Sequence, residues 1–167
     1  GAEDAGFGDP SRTSIFDYIG VPQHQKWMNG GKFDGGQLSD NEKALRNYYS
    51  EVLNFTRRSS ALMGTYQDLH RYNRAKNSAY TDKTFAYARW DAEQKLLVMT
   101  NFDETQSVNT VLHLSPELLK SWNLKPGNRE IQEVLFGKKT TQLRVDAQGA
   151  HIDLVLGPWE SAVFEVK

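Results

Sequence analysis

The sequence predicts a mainly β protein: an antiparallel Greek-key β-sandwich of about eight strands, preceded by an irregular loop segment and one amphipathic helix. Three observations carry this. From residue 64 onward, short runs alternate apolar and polar side chains and are punctuated by turn residues. Residues 39–58 carry apolar side chains at three- and four-residue steps, the spacing of one helix face. Residues 1–38 show neither period, yet they are too rich in aromatics for a solvated linker.

The first segment holds Phe16, Tyr18, Trp27 and Phe33, large side chains that need burial. It reads as a long loop anchored by its aromatics. The helix follows from local chemistry. Ser39-Asp40-Asn41-Glu42 is a capping box, and Leu38 before it suits a hydrophobic staple. Ala44, Leu45, Tyr48, Tyr49, Val52, Leu53 and Phe55 form the apolar face. Asp40 and Glu42 at the start, with Arg57 and Arg58 at the end, complement the helix dipole. A lone helix of this length is marginal. Each large side chain on the face is worth ~1.5–3 kcal/mol on full burial, so the helix needs a partner surface.

The strands follow in order. Tyr66 to Tyr72 is the first candidate. Thr84–Trp90 and Lys95–Phe102 flank Asp91-Ala92-Glu93-Gln94 as a hairpin. Ser107–Leu114 is next. Ser115 as N-cap and Pro116 at the first helical position open a short helix reaching Trp122. Ile131–Phe136 and Thr140–Val145 pair around Gly137-Lys138. Ile152–Leu156 and Ser161–Val166 close the set, separated by Gly157-Pro158-Trp159.

Composition narrows the function. The 167 residues are 38% hydrophobic and 25% charged, with a net charge of −1. That balance lacks the basic stripe of a nucleic-acid binder. The absence of cysteine excludes disulfides and thiolate metal sites. No apolar run approaches the ~18–20 residues of a membrane helix. His24, His70, His113 and His151 fall at no metal-ligand spacing, and neither a zinc-protease nor a nucleophile-elbow motif occurs. Gly30-Gly31 and Gly35-Gly36 read as turn glycines.

Asp9, Asp17 and Asp34 are the carboxylates of the loop. Asp17, between Phe16 and Tyr18, suits an Asx-turn or a sugar contact. Trp27 suits an anchor or a ring that stacks on a sugar face. The candidate substrate-binding residues are therefore Asp17, Tyr18 and Trp27, with no catalytic residue and no metal ligand among the motifs. Trp90, Trp122 and Trp159, at strand ends or turns, read as core or interface plugs.

Several runs carry a resemblance. Gly8-Asp9-Pro10-Ser11-Arg12-Thr13-Ser14-Ile15-Phe16-Asp17-Tyr18, Val21-Pro22, Gln25-Lys26-Trp27-Met28-Asn29 and Phe33-Asp34-Gly35-Gly36-Gln37-Leu38-Ser39 resemble the region after the last barrel strand in α-amylase-family glycoside hydrolases. Ala44-Leu45-Arg46-Asn47-Tyr48-Tyr49 through Arg57-Arg58 and Ser60-Ala61-Leu62 resemble the family's eighth barrel helix. Gly157-Pro158-Trp159-Glu160 through Val166 resembles the closing strand of its C-terminal sandwich.

The resemblance implies a parent enzyme with a (β/α)₈ barrel that acts on α-glucans or α-glucosides by a retaining mechanism. In that family an Asp nucleophile, a Glu acid/base and a stabilising Asp come from the ends of barrel strands. None of those motifs occurs in this chain, so no catalytic residue is carried over. Residues 1–58 would be a barrel remnant, with loop 1–38 and last helix 39–58, and 64–167 the C-terminal sandwich. The partners implied are the protein's own catalytic barrel and an α-glucan bound through the parent. Because one helix cannot close a barrel, helix 39–58 is expected to pack on its own sandwich or to bury its tyrosine face against a second copy, a truncation-induced dimer. No cofactor is expected in this part, although calcium is frequent in the family. Parents of this kind are often exported. The alternative is a carbohydrate-binding sandwich, which an exposed row of two or three coplanar aromatics on one sheet face would favour. The sequence places no such row.

Overall fold

The computed structural model describes residues 22–147 and 149–167. Among the described residues there are four α-helices: α1 (Pro22–Met28), α2 (Asp40–Arg58), α3 (His70–Lys76) and α4 (Pro116–Ser121). Eight strands follow α2: β1 (Thr65–Asp68), β2 (Thr84–Trp90), β3 (Lys95–Asn101), β4 (Val108–Leu114), β5 (Gly127–Glu133), β6 (Thr140–Asp146), β7 (Gly149–Leu156) and β8 (Ser161–Glu165). The chain divides into two compact units, Gly1–Ser50 and Glu51–Lys167, and α2 runs through the division.

Every strand pair is antiparallel, and the order is β1-β2-β3-β8-β5-β6-β7-β4. Strands β5, β6 and β7 are consecutive neighbours, and β4 returns beside β7, which is a Greek key. The two four-stranded halves join only where β5 meets β8, through Gln132↔Glu165 and Glu133↔Phe164. The mainly β, antiparallel architecture expected from the sequence is the one found.

Alternation explains the core. Ala86, Ala88, Leu97, Met99 and Phe164 face inward from one half, and Leu112, Leu143, Ile152 and Leu154 from the other. β3 departs from alternation: Leu96, Leu97, Val98 and Met99 are all buried. Its outer residues Leu96 and Val98 belong to a second cluster with Phe55, Ala61, Leu135 and Val163, and Val52 packs on the same cluster. The last turns of α2 and the 3₁₀ turn Ser60–Met63 thus cover the outer face of this half. Gly64 follows, and a Cβ there would run into the Trp90 carbonyl.

Local chemistry sets the boundaries. At the start of α2, the Ser39 N–H donates to Glu42 Oε2 at 2.7 Å and the Glu42 N–H to Ser39 Oγ at 3.3 Å, a closed capping box. Ser115 Oγ accepts from the Leu118 N–H and caps α4.

Three expectations are corrected. The strand expected over Tyr66–Tyr72 ends at Asp68, because Asp68 Oδ1 accepts from the His70 N–H at 2.9 Å and its Oδ2 from the Arg71 N–H, turning the chain into α3. The strand expected over Ile131–Phe136 runs instead over Gly127–Glu133. It stops there because the buried Glu133 carboxylate gathers the N–H groups of Leu135 (2.7 Å) and Phe136 (2.8 Å) into a turn. Trp159, expected as a core or interface plug, is not in the core: it is 62% exposed, in a left-handed conformation at φ 55°, so only the core half of that expectation falls.

Candidate functional site

Of the candidate residues, Asp17 and Tyr18 lie outside the described residues. Trp27 sits in the last turn of α1. After α1 the chain folds back through left-handed Asn29, Gly30 and Gly31, a path that glycine makes inexpensive. The Phe33 N–H donates to the Met28 carbonyl and the Gly35 N–H to the Trp27 carbonyl, each at 3.0 Å. This return lays the Phe33 ring against Trp27, with centroids 5.8 Å apart. Asp34 fixes the loop by accepting from Asn29 Nδ2 at 2.8 Å and the Gly36 N–H at 2.9 Å. Those two bonds hold its carboxyl below the usual range.

The other partner of Trp27 comes from α2. The Arg46 guanidinium lies 5.3 Å from the indole centroid, a cation–π contact. One turn earlier, Glu42 pairs with Lys26 at 2.8 Å. Trp27, Leu38, Glu42, Leu45, Arg46 and Tyr49 line an open, mostly apolar recess of about 330 Å³. Glu42 is the carboxylate of that lining. Its Oε1 accepts from Lys26, and its Oε2 from the Ser39 backbone and hydroxyl. The Lys26 bond first, then the two from Ser39, hold its pKa down at about 2. The recess therefore offers an aromatic wall, a cation and a carboxylate already engaged by Lys26 and Ser39.

The apolar face of α2 continues past the recess. Leu45 (59%), Tyr49 (58%) and Leu53 (61%) are exposed, whereas Val52 and Phe55 pack on the sandwich. A second aromatic feature escaped sequence reasoning. Tyr66, Tyr87, Phe85 and His70 form a continuous row on the outer face of β1–β2, with successive centroids 5.6, 5.8 and 5.7 Å apart. Phe85 and Tyr87 were legible as alternate residues of one strand. Tyr66 and His70 were not, because they reach the row only through the β1–β2 register and the unexpected α3. The rings are tilted by 36° to 46° rather than coplanar, and Tyr87 packs on the Phe55 cluster. A tilted, partly covered row is a packing face more than a flat sugar platform.

Among the described residues, no three His, Asp or Glu side chains converge as a metal site. No described helix is long and apolar enough to cross a membrane.

The described residues thus define a Greek-key antiparallel β domain preceded by an amphipathic helix and an aromatic loop. No family model and no curated protein matches the chain. Solved structures do. A structure of AmyP in complex with maltotriose matches 80% of this chain with a TM-score of 0.53 at 13% identity, more of the chain than residues 64–167 supply. Isomaltulose synthase from Klebsiella sp. LX3 matches 72% with a TM-score of 0.43 at 23% identity. The chain spans 22% of the first and 17% of the second. The similarity to AmyP is one of fold, and it extends to one part of a much longer protein.

Proposed function

We propose that this chain is the C-terminal part of an α-amylase-like retaining glycoside hydrolase acting on α-glucans or α-glucosides. Residues 1–58 complete the catalytic barrel, and residues 64–167 pack on that barrel and stabilise it. The catalytic carboxylates come from barrel residues that precede these in the parent, where calcium would also bind. The observation that carries the reading is the apolar face of α2. Val52 and Phe55 are used by the sandwich, while Leu45, Tyr49 and Leu53 are left exposed. A helix with exposed Leu and Tyr along most of its length is built to be covered by more than this sandwich. The barrel-helix resemblance around Ala44–Arg58 and the fold shared with AmyP support the barrel as the cover. In its absence, a second copy of α2 is the available substitute.

A carbohydrate-binding sandwich is the alternative, and exposed Trp159 is the residue it would rest on. Two measurements decide. The 167-residue chain is assayed on starch, pullulan and small α-glucosides, where background rates are expected and turnover overturns the non-catalytic reading. It is also titrated calorimetrically with maltooligosaccharides. No heat is expected, whereas millimolar binding abolished in Trp159→Ala establishes the alternative.

A further inference from the structure

The proposed function leaves the outer face of the β4–β7 ladder unused. There His113 and His151 stand directly opposite each other in register. Their flanking residues Leu112, Leu114, Ala150 and Ile152 are buried in the core, so alternation turns both imidazoles outward. The ring centroids are 5.9 Å apart and the planes inclined by 44°. Both rings line a recess of about 280 Å³, together with Lys76, Asp146 and Gly149. We propose that His113 and His151 form a two-imidazole site for a first-row divalent transition ion: Cu²⁺, Ni²⁺ or Zn²⁺.

Imidazole suits these ions. With metal–nitrogen bonds of about 2.0–2.1 Å, two ligating nitrogens stand roughly 3–4 Å apart. Rings at this centroid separation reach that spacing by side-chain rotation, with the strands unmoved. The backbone beneath His113 is fixed, since Asn73 binds both its N–H and its carbonyl. Ligation needs neutral imidazole.

Charges face the pair from three elements. Lys76 of α3 lies over the Tyr72 ring at 5.1 Å and repels a cation. Arg144 of β6 stands opposite His151, but it is paired with Asp153 of β7. Asp146 of β6 supplies negative charge at the rim. The protein gives two ligands, and water completes the shell. β4 is the sheet edge, so a bound ion ties that edge to its neighbour.

The 167-residue chain is titrated with CuCl₂, NiCl₂ and ZnCl₂ separately by calorimetry, while the imidazole resonances are followed by NMR. Binding of one ion per chain is expected, with both His113 and His151 resonances perturbed. Affinity should fall by at least about ten-fold in His151→Asn and in His113→Asn, because removing a ligand costs no less than disturbing its support. It should rise in Lys76→Ala, an effect that a purely structural histidine pair would not show. Circular dichroism checks folding, and His151→Asn carries the test if His113→Asn unfolds. Unchanged affinity in a folded His151→Asn, or no binding at millimolar ion, overturns the proposal.

Discussion

Asn73 pairs with the backbone of His113 as a neighbouring strand would. Its Oδ1 accepts from the His113 N–H at 2.7 Å, and its Nδ2 donates to the His113 carbonyl at 2.9 Å. Asn77, one turn on, donates to the Val111 carbonyl at 2.9 Å. Helix α3 thereby satisfies groups of edge strand β4 that would otherwise invite another chain. Asn73 is fully buried. Asn73→Ala leaves the His113 N–H without its partner and is expected to cost about 2–3 kcal/mol in urea unfolding. Asn73→Asp keeps the acceptor but loses the donor. It should remain destabilising, with a larger loss of amide-exchange protection at His113 than in β3.

Glu133 presents a second buried polar device. It sits at the end of β5 with the N–H groups of Leu135 and Phe136 aimed at its oxygens. In Glu133→Gln, an NH₂ group faces a row of donors, so the isosteric change should cost about 1–3 kcal/mol, read from the urea midpoint. Glu133→Ala removes every acceptor and should cost more.

Acid should act through Asp103. The Thr105 N–H and Lys83 Nζ, each at 2.9 Å, and then the Gln106 N–H hold its carboxyl well below the ordinary 3.8. The unfolded chain takes up the proton first as pH falls. The stabilisation is therefore complete above about pH 5 and is lost progressively as pH falls through the unfolded value towards the lowered folded pKa. Thermal unfolding from pH 5 downward should show this acid limb, flattened in Asp103→Asn. Glu42, held at about 2, gives the same sign, and Lys26→Ala should move its carboxyl pKa upward in NMR titration.

The exposed half of the α2 face gives a different kind of test. Leu45→Glu with Leu53→Glu should leave the unfolding midpoint of the 167-residue chain within about 0.5 kcal/mol. The same change should abolish any self-association seen by analytical ultracentrifugation. A fall of several kcal/mol would show that these side chains are already buried.

Gly64 is constrained by space rather than by dihedral. Gly64→Ala drives a methyl group into the Trp90 carbonyl and should cost about 1–3 kcal/mol.

What the sequence made legible follows from range. The α2 capping box, the β2–β3 hairpin and the Ser115-Pro116 helix start depend on residues three or four apart, and all three stand as read. Tyr66–Tyr72 was misread because its alternation is genuine only to Asp68, where one carboxylate turns the chain. Ile131–Phe136 failed in the same way at Glu133, an acid that apolar periodicity treats as solvent-facing and the fold buries. The Trp27–Arg46 contact and the His113–His151 pair join residues distant in sequence, which no local pattern reports.

The place of β8 has a consequence for synthesis. It is the last of these eight strands in chain order, so it leaves the ribosome after the other seven, yet it lies in the middle of the sheet, between β3 and β5. Before residues 161–165 emerge, β1–β3 and β4–β7 are separate ribbons with no ladder between them, and two inner edges stand open. Closure of this sheet therefore waits for β8 and is not gradual. A nascent chain stalled after β7 carries both open edges, and these are surfaces that a chaperone would have to shield.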